Sequence, residues 1–267
     1  MDKVQLLRSK KLFLFDMDGT IYMGDRLFPF TRELLARLKE TGRSYQFLTN
    51  NSSLSAEGYV EKLERLGIPA RKEEIITSGQ AASVFLGREY RGKPIYVCGT
   101  ESFRAYLRQE GFRVTGKPEE ARCVLMSLDT ELTFGKLRDV CRILSEQPEL
   151  PYFATHPDLI CPAEFGFVPD CGSICQMVFH ATGRMPEFIG KPSPLMPQLA
   201  MAAAGCSREE TIVVGDRLST DIASGFRAGV DTALVLTGEA GVPESQQAQV
   251  RPTVILQDAG EILNAIT

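Results

Sequence analysis

The sequence lacks the features that mark membrane proteins and nucleic-acid-binding proteins. No uninterrupted apolar run approaches the length that crosses a bilayer. The formal net charge of −4 provides no broad basic face for a phosphate backbone, although it leaves room for a local basic pocket. The apolar run near the amino terminus is short, follows charges without a small-residue cleavage site and ends in acids, so we expect no signal peptide. We therefore expect no membrane partner and no nucleic-acid polymer.

Cysteine and histidine are too few and too scattered to build a disulfide framework or a zinc site. The chain has seven cysteines, an odd number, and some lie inside apolar runs, as Cys98 and Cys123 do. Cys171 and Cys175 are four residues apart, but only two histidines are available to complete a zinc ligand set. Small buried thiols are the favoured interpretation. Reduced thiols are typical of the cytoplasm, which is the location we expect.

The residues that are present have the pattern of an α/β protein. The 267 residues are 43% hydrophobic and 24% charged, which is enough for one large domain or two moderate ones. Short continuous apolar runs alternate with helical periods, as in βαβ units around a parallel sheet. The runs KLFLFD, YQFLTNN and TIVVGD predict buried strands that end in polar residues.

Local signals predict where some helices begin and end. A helix is predicted over 31–42, with Thr31 as its N-cap and Gly42 as its terminator. In the segment PDCGSI, Gly172 and Ser173 predict a turn and a cap at the start of another helix.

The alternation of strands and helices restarts after the first strands, which predicts two domains. We expect a Rossmann-like parallel-sheet core formed by residues 1–78 and 185–267. An inserted, smaller α/β domain is expected over 79–184. Composition shows no obvious linker, so these boundaries are approximate.

Polar clusters follow three of the predicted strands. Asp16 and Asp18 come after LFLF, Thr49 and Asn50 come after YQFL, and Asp216 comes after IVVG. In open α/β sheets, ligands bind beyond the carboxyl ends of the strands. If the three strands are neighbours, the clusters converge on one crevice.

Carboxylates gathered in one crevice require a cation. Two carboxylates about 4 Å apart repel by roughly 4 kcal/mol at an effective dielectric constant of about 20, and Asp221, shortly after Asp216, adds a further charge. Mg²⁺ takes oxygen ligands from a few carboxylates and completes its shell with water and substrate phosphate. An aspartate beside it can be a nucleophile that forms an aspartyl-phosphate. A carboxylate two residues further on can protonate the leaving oxygen and then deprotonate the attacking water.

Each motif taken alone has an ordinary interpretation. The pair Asp16 and Asp18 can be a solvated loop feature, and Thr49 with Asn50 can be a turn. Lys191, in GKPSP, can be a surface lysine. The ordered set of motifs, each in a strand-end context, favours function.

The set DMDGT, LTNN, GKPSP and GDRLSTD resembles the four motifs of the haloacid dehalogenase-like (HAD) phosphohydrolases. The segments TNNS, SGQAA, THPD, PDCGSI and VGDRLSTDIASGFRAG are similar to the branch with NagD-type and p-nitrophenyl phosphatases, subfamily IIA. The likeness covers almost the whole chain in the expected order. It implies a magnesium-dependent phosphatase for small phosphomonoesters, since DMDG followed by threonine is the phosphatase form of the first motif.

The resemblance implies a role for each motif residue. Asp16 matches the nucleophile, which also binds the metal. Asp18 matches the general acid/base, and its backbone carbonyl is a metal ligand. Thr49 and Asn50 match the groups that orient the phosphoryl group, and Lys191 matches the cation that offsets its charge.

The last motif completes the implied site. Asp216 matches the acid that anchors the metal, and Asp221 matches the acid that fixes the metal site. Gly19 matches the glycine that lets the backbone approach the phosphate. Four further residues match the loop that lies close to bound phosphate: Arg217, Leu218, Ser219 and Thr220.

In this branch the insertion, here 79–184, is a cap that excludes water and contributes substrate contacts. His156 and Asp158 are the candidates for those contacts, and the alternative for His156 is a loop histidine with no ligand role. Sugar phosphates, nucleoside monophosphates, phosphoglycolate and pyridoxal phosphate are all open as the small phosphorylated metabolite, and a homodimer is possible.

Two rival functions stay open. A phosphotransferase or mutase would pass the phosphoryl group to a sugar hydroxyl, which requires a cap that sequesters the acceptor. A non-catalytic phosphate-binding regulatory protein would keep the fold for binding alone. The intact set of acids, threonine and lysine argues against the regulatory protein.

Overall fold

The structure is a computed structural model that describes residues 2–163, 165–238 and 250–266. It is a mixed α/β fold, as the sequence predicts. The described strands are β1 (Leu12–Phe15), β2 (Tyr22–Met23), β3 (Arg26–Leu27), β4 (Ser44–Thr49), β5 (Ile75–Thr77), β6 (Pro94–Cys98), β7 (Arg113–Thr115), β8 (Val124–Met126), β9 (Tyr152–Ala154), β10 (Ile160–Ala163), β11 (Gly166–Pro169), β12 (Glu187–Phe188), β13 (Thr211–Gly215), β14 (Asp231–Val235) and β15 (Val254–Leu256).

The described α-helices connect these strands. They are α1 (Lys3–Ser9), α2 (Thr31–Glu40), α3 (Ala56–Arg65), α4 (Ser78–Gly87), α5 (Glu101–Gln109), α6 (Phe134–Glu146), α7 (Cys171–Thr182), α8 (Leu195–Ala204), α9 (Ala223–Ala228) and α10 (Leu263–Ile266). None of the helices in these ranges is long and apolar enough to cross a membrane.

The chain forms two compact units. The first comprises the described residues of 1–49, 59–76 and 191–267, and the second comprises 50–58 and 77–190. The sequence prediction did not assign 50–58 to the insertion. The role of the second unit as a cap stays a prediction.

The first unit contains a six-stranded sheet in the order β15-β14-β13-β1-β4-β5. Strand β1 pairs in parallel with β13 on one side and with β4 on the other. All four residues of β1 and all five of β13 are buried, which explains why both strands are continuous apolar runs. Because β1, β4 and β13 are adjacent and parallel, the polar residues that follow them emerge at one edge of the sheet.

The second unit has its own five-stranded sheet in the order β12-β9-β8-β6-β7, with parallel pairs throughout. Val124 and Met126 of β8 are fully buried and belong to a core that also includes Val140 of α6 and Ile174 and Cys175 of α7. Strands β10 and β11 form a separate antiparallel hairpin in this unit.

The thiols behave as the composition predicts. All seven cysteines are free, and four of them are buried. Cys171 and Cys175 lie on the buried side of α7. The interpretation of this pair as small buried thiols is confirmed.

The predicted N-cap of α2 is wrong. The helix begins at Thr31, but Phe30 occupies the N-cap position and no side chain caps the helix. The buried hydroxyl of Thr31 donates instead to the carbonyl of Ile21 at 2.7 Å, so a tertiary contact replaces the local cap. The end of the helix is as predicted, since Gly42 follows with a φ of +71° that favours glycine.

The predicted cap of α7 is also wrong. Asp170, and not Ser173, is the N-cap, and its Oδ1 accepts from the backbone N–H of Cys171 at 2.6 Å. Gly172 lies in the first turn of the helix, where a Cβ would collide with the carbonyl of Pro157. Close packing, and not a turn, therefore requires a glycine at this position.

Candidate active site

Asp16 is the first residue after β1, in the middle of the six-stranded sheet. Its backbone N–H still donates to the carbonyl of Val214 in β13 at 2.8 Å, so the sheet fixes its position. The side chain keeps 15% of its surface exposed. The carboxylate therefore lies at the carboxyl edge of the sheet and remains accessible to a small molecule.

Lys191 is buried at this edge and bound by two carboxylates. Its Nζ donates to Asp16 Oδ1 at 2.5 Å and to Asp221 Oδ1 at 2.6 Å. It also donates to the carbonyl of Leu48, the penultimate residue of β4, at 3.0 Å. The alternative of an ordinary surface lysine is wrong, since only 2% of the residue is exposed.

Charge on Lys191 is maintained by its two partners. Burial alone would lower the pKa of Lys191, but the carboxylates of Asp16 and Asp221 raise it above its ordinary value. The ammonium group is therefore charged at neutral pH. It supplies a fixed positive charge beside Asp16.

Three aspartates meet at this point. Asp16, Asp216 and Asp221 each offer a carboxylate oxygen, and these oxygens all lie within 4.8 Å of one another. Asp216 directly follows β13, and Asp221 lies in a π-helical turn, Leu218–Ile222. Burial, then the charge of Asp221, raises the pKa of Asp16, while Lys191 opposes that rise. The structure thus reproduces the carboxylate repulsion that the sequence predicts.

These three side chains fit a magnesium ion. They supply oxygen donors alone, which are the ligands that Mg²⁺ prefers. Lys191 offsets one of the three negative charges, so a divalent cation would balance the other two. Gly19 adds a second observation, because its φ is +84° and a Cβ would lie 2.7 Å from Asp216 Oδ2. The absence of a side chain at 19 keeps the backbone close to the acids.

Asp18 lies on the same loop but outside the three-acid group. It is half-buried, and the backbone N–H of Gly24 approaches its Oδ1 at 3.5 Å. Burial raises the pKa of its carboxyl above the ordinary value, and Lys62 and Arg217 oppose the rise. A raised pKa keeps more of the carboxyl protonated, which suits a general acid.

The second motif lies beside this site at the end of β4. Thr49 is the last residue of β4 and is buried, with its Oγ1 3.5 Å from Tyr59 Oη. Asn50 follows it in the chain and donates from Nδ2 to Asp158 Oδ2 at 3.0 Å. The role of Thr49 and Asn50 toward a phosphoryl group stays a prediction.

The residues of the predicted phosphate loop, 217–220, differ in burial and in contacts. The backbone N–H of Arg217 donates to Asp221 Oδ2 at 3.1 Å, which ties the loop to the acids. Ser219 is exposed and Thr220 is buried. Leu218 packs in an apolar cluster with Ile222 and Leu234. The side chain of Leu218 is therefore part of the apolar core, and only the backbone of this residue can contact a substrate.

His156 does not have the surroundings of a substrate ligand. Its side chain is completely buried, and its Nε2 is 2.8 Å from Asp170 Oδ1. Its Nδ1 is 2.9 Å from Thr155 Oγ1. This geometry favours the alternative, a histidine with a structural role, over direct contact with a substrate. Asp158 is half-buried and keeps some of its surface accessible.

Sequence reasoning missed two residues near these groups. Asp170 contacts His156, and its position just before a helix was the available signal. The Nζ of Lys62 lies 4.4 Å from the centroid of the Tyr22 ring, and Tyr22 forms a β-bridge with Asp18. No motif in the sequence marks Lys62. Tyr22 is itself buried.

Comparison with known families agrees with this geometry. The sequence model of the haloacid dehalogenase-like hydrolase family matches residues 13–113. A second model, described as HAD-hydrolase-like, matches residues 188–262. The two matches contain the first and second motifs and the third and fourth motifs, respectively.

Individual proteins resemble almost the whole chain. An acid sugar phosphatase of Staphylococcus aureus is 32% identical over 257 residues, which are 96% of this chain and 98% of the relative. A 4-nitrophenylphosphatase of Thermotoga maritima has a TM-score of 0.91 at 35% identity, with 98% of this chain and 99% of that chain covered. NagD of E. coli K-12 has a TM-score of 0.85 at 28% identity, with 94% and 98% covered. The chain thus belongs to the haloacid dehalogenase-like hydrolases, and it is a phosphatase of the branch that contains NagD and the p-nitrophenyl phosphatases.

Proposed function

We propose that the protein hydrolyses small phosphomonoesters with Mg²⁺ through a phospho-aspartate at Asp16. The observation that carries this proposal is the group of three carboxylates and one buried lysine at the ends of neighbouring parallel strands. The carboxylates of Asp16, Asp216 and Asp221 and the backbone carbonyl of Asp18 are the groups that would hold the metal. When bound, Mg²⁺ offsets the charge of the phosphoryl oxygens and of the acids.

The first half of the reaction transfers the phosphoryl group to the protein. A carboxylate oxygen of Asp16 attacks phosphorus in line, while the bond from phosphorus to the ester oxygen breaks. Asp18 donates its proton to the leaving oxygen, so the product leaves as a neutral alcohol. Lys191 offsets the charge that spreads over the phosphoryl oxygens, and Thr49 and Asn50 orient them.

The second half regenerates the carboxylate. Asp18, now ionised, accepts a proton from water, and the water oxygen attacks phosphorus. The bond between phosphorus and Asp16 breaks, which releases inorganic phosphate. The loop that includes Arg217, Ser219 and Thr220, together with the backbone of Leu218, provides further contacts to the phosphate.

We propose sugar phosphates as the substrate class among the four that the sequence leaves open. The relative from Staphylococcus aureus, named acid sugar phosphatase, supports this choice. p-Nitrophenyl phosphate is a suitable chromogenic substrate, because the Thermotoga maritima relative is named for its nitrophenyl ester. The cap role of the second unit, the cytoplasmic location and a homodimer stay predictions.

The test is turnover of p-nitrophenyl phosphate and of a panel of sugar phosphates with and without Mg²⁺. We expect phosphate release that stops with EDTA and returns when Mg²⁺ is added. Phosphate transfer to an added hexose in place of release would support the phosphotransferase. Phosphate binding without any turnover would support the regulatory protein.

A further inference from the structure

Asp158 and Asn50 are held by a buried polar network within the second unit. Asn50 Nδ2 donates to Asp158 Oδ2 at 3.0 Å. The carbonyl of Asp158 accepts from the backbone N–H of Gly172 at 2.8 Å, at the start of α7. The hydroxyl of Ser78 donates to the carbonyl of Asn50. The positions of both side chains therefore depend on how the loop after β9 meets the first turn of α7.

His156 and Asp170 join that loop to the helix. Asp170 Oδ1 accepts from His156 Nε2 at 2.8 Å and from the backbone N–H of Cys171 at 2.6 Å. On the other side of the ring, Nδ1 is 2.9 Å from Thr155 Oγ1 and 3.5 Å from Ser78 Oγ. His156 is fully buried and Asp170 is 4% exposed, so water does not compete for these hydrogen bonds.

We propose that Asp170 and His156 are a positioning pair that fixes Asp158 and its partner Asn50, so that Asp158 receives the hydroxyl groups of a polyhydroxylated leaving group. This inference rests on the proposed function, which makes sugar phosphates the substrate class. A carboxylate accepts several hydrogen bonds from hydroxyl groups. Its charge also repels a leaving group that carries its own carboxylate, as phosphoglycolate does. The arrangement thus favours a sugar over an acid as the leaving group.

The charged groups around His156 favour an ion pair between His156 and Asp170. Burial alone would lower the pKa of His156, but Cys171, Asp170 and Asp158 raise it to about 9. The ring is therefore protonated at neutral pH, and both ring nitrogens act as donors. A protonated imidazole does not bind a metal, so the pair explains the cluster of His156, Asp158 and Asp170 better than a second metal site does.

The kinetic test compares a hexose 6-phosphate with p-nitrophenyl phosphate, which has no hydroxyl groups to bind. We expect Asp170→Asn to raise KM for the hexose phosphate about tenfold more than KM for p-nitrophenyl phosphate, as expected for a lost hydrogen bond. We expect His156→Leu to have the same effect. His156→Gln keeps a donor for Asp170, and we expect it to restore most of the preference.

Asp129→Asn is the matched control. Asp129 is also buried in the second unit and binds Lys136 Nζ at 2.8 Å. We expect this variant to change the ratio of the two KM values less than twofold. The proposal would be overturned if Asp170→Asn raised both KM values by the same factor. It would also be overturned if Asp129→Asn changed the ratio of the two KM values as much as Asp170→Asn does.

A second measurement does not depend on turnover. With only two histidines in the chain, nitrogen NMR of the imidazole rings is assignable with a His180→Gln variant. We expect the ring of His156 to titrate near pH 9 and to titrate at lower pH in Asp170→Asn. We also expect the side-chain amide signals of Asn50 to shift in Asp170→Asn and to stay in place in Asp129→Asn.

The NMR result separates the two proposals. If the protein turns over no phosphomonoester but these shifts occur, the proposed function and the role toward a leaving group fail, and only the positioning of Asp158 and Asn50 by the pair stands. Unchanged Asn50 signals, or tight binding of added Zn²⁺ that His156→Gln removes, would overturn the pair.

Discussion

At the scale of single residues, Asp16 and Lys191 are the groups on which turnover depends most directly. Asp16 combines a fixed position, partial exposure and a buried ammonium group at 2.5 Å. The strand-end motifs predict this group because they are local in sequence and each follows an apolar run. The contact between Asp170 and His156 was not predictable, since it joins two side chains that are 14 positions apart on different elements.

Asp16→Asn should remove the nucleophile and keep the fold. The amide has nearly the same shape but cannot form the phospho-aspartate, so we expect turnover to fall by at least about 10⁴-fold. Turnover of p-nitrophenyl phosphate measures the loss of activity, and circular dichroism checks that the fold is kept. Asp2→Asn, at an exposed acid just before α1, is the control and should keep full activity. Activity close to that of the wild type in Asp16→Asn would end the nucleophile assignment.

Lys62→Met should change the pH dependence of kcat/KM. A general acid acts in its protonated form, so kcat/KM falls as the pH rises through the pKa of Asp18. Burial raises this pKa and Lys62 lowers it. Without the charge of Lys62 the pKa is higher, and we expect the fall to move to higher pH by roughly half a unit.

Lys39→Met is the control for that prediction. The Nζ of Lys39 lies 4.9 Å from the centroid of the Tyr45 ring, much as that of Lys62 lies 4.4 Å from the Tyr22 ring, but Lys39 is not among the main groups that shift the pKa of Asp18. Its pH profile should match the wild type. A shift of the Lys62→Met profile to lower pH would contradict the assignment of Asp18 as the general acid.

At the scale of elements, several contacts at once constrain the loop after β1. It must turn sharply after Asp16, present Asp18 and pass close to Asp216. The strands that create this edge were predictable, because buried strands of a parallel sheet are continuous apolar runs, but the sequence left open whether they are neighbours. Two helix caps were predicted wrongly, because the Thr31 hydroxyl binds the carbonyl of Ile21 instead of capping α2, and Asp170 rather than Ser173 caps α7.

Gly19→Ala should disturb the loop more than the same change at a second glycine nearby. Gly19 has a φ of +84° and its new Cβ would lie 2.7 Å from Asp216 Oδ2, whereas Gly24 has a φ of +59° and open space. The left-handed conformation costs either variant about 1–2 kcal/mol. Gly19→Ala should lose more stability than Gly24→Ala, by urea unfolding, and should lose most of its turnover. Equal losses in the two variants would show that the approach to Asp216 is unimportant.

At the scale of the whole molecule, the candidate site exists only when distant segments of the chain come together. Asp16 and Asp216 follow strands that pair in the sheet, and Lys191 contacts Asp16 from the segment before α8. The α/β class and a two-domain organisation follow from the alternation of apolar patterns. The assignment of 50–58 to the second unit does not, because it depends on which parts of the folded chain lie close together and not on a local pattern.

Mg²⁺ should therefore stabilise the folded protein. A ligand present at about 100 times its Kd adds about 2.7 kcal/mol to the free energy of unfolding. For a unit of this size we expect the Tm to rise by roughly 5–10 °C in calorimetry. Asp216→Asn should lose most of this shift, and Asp2→Asn should keep it. If Mg²⁺ raised the Tm of both variants equally, the ion would bind at a site that does not include Asp216.

The position of β1 between β13 and β4 has a consequence for synthesis on the ribosome. Thr211 pairs with Leu12 but lies 199 positions later in the chain. Strand β1 therefore has no β13 to pair with while the ribosome synthesises most of the protein, and one of its edges stays unpaired during that time. The stretch 77–190, by contrast, emerges uninterrupted and can collapse first. The apolar strand β1 is thus the part of the nascent chain that is exposed to aggregation for the longest time. A chaperone that shields Leu12–Phe15 would act until β13 has been synthesised.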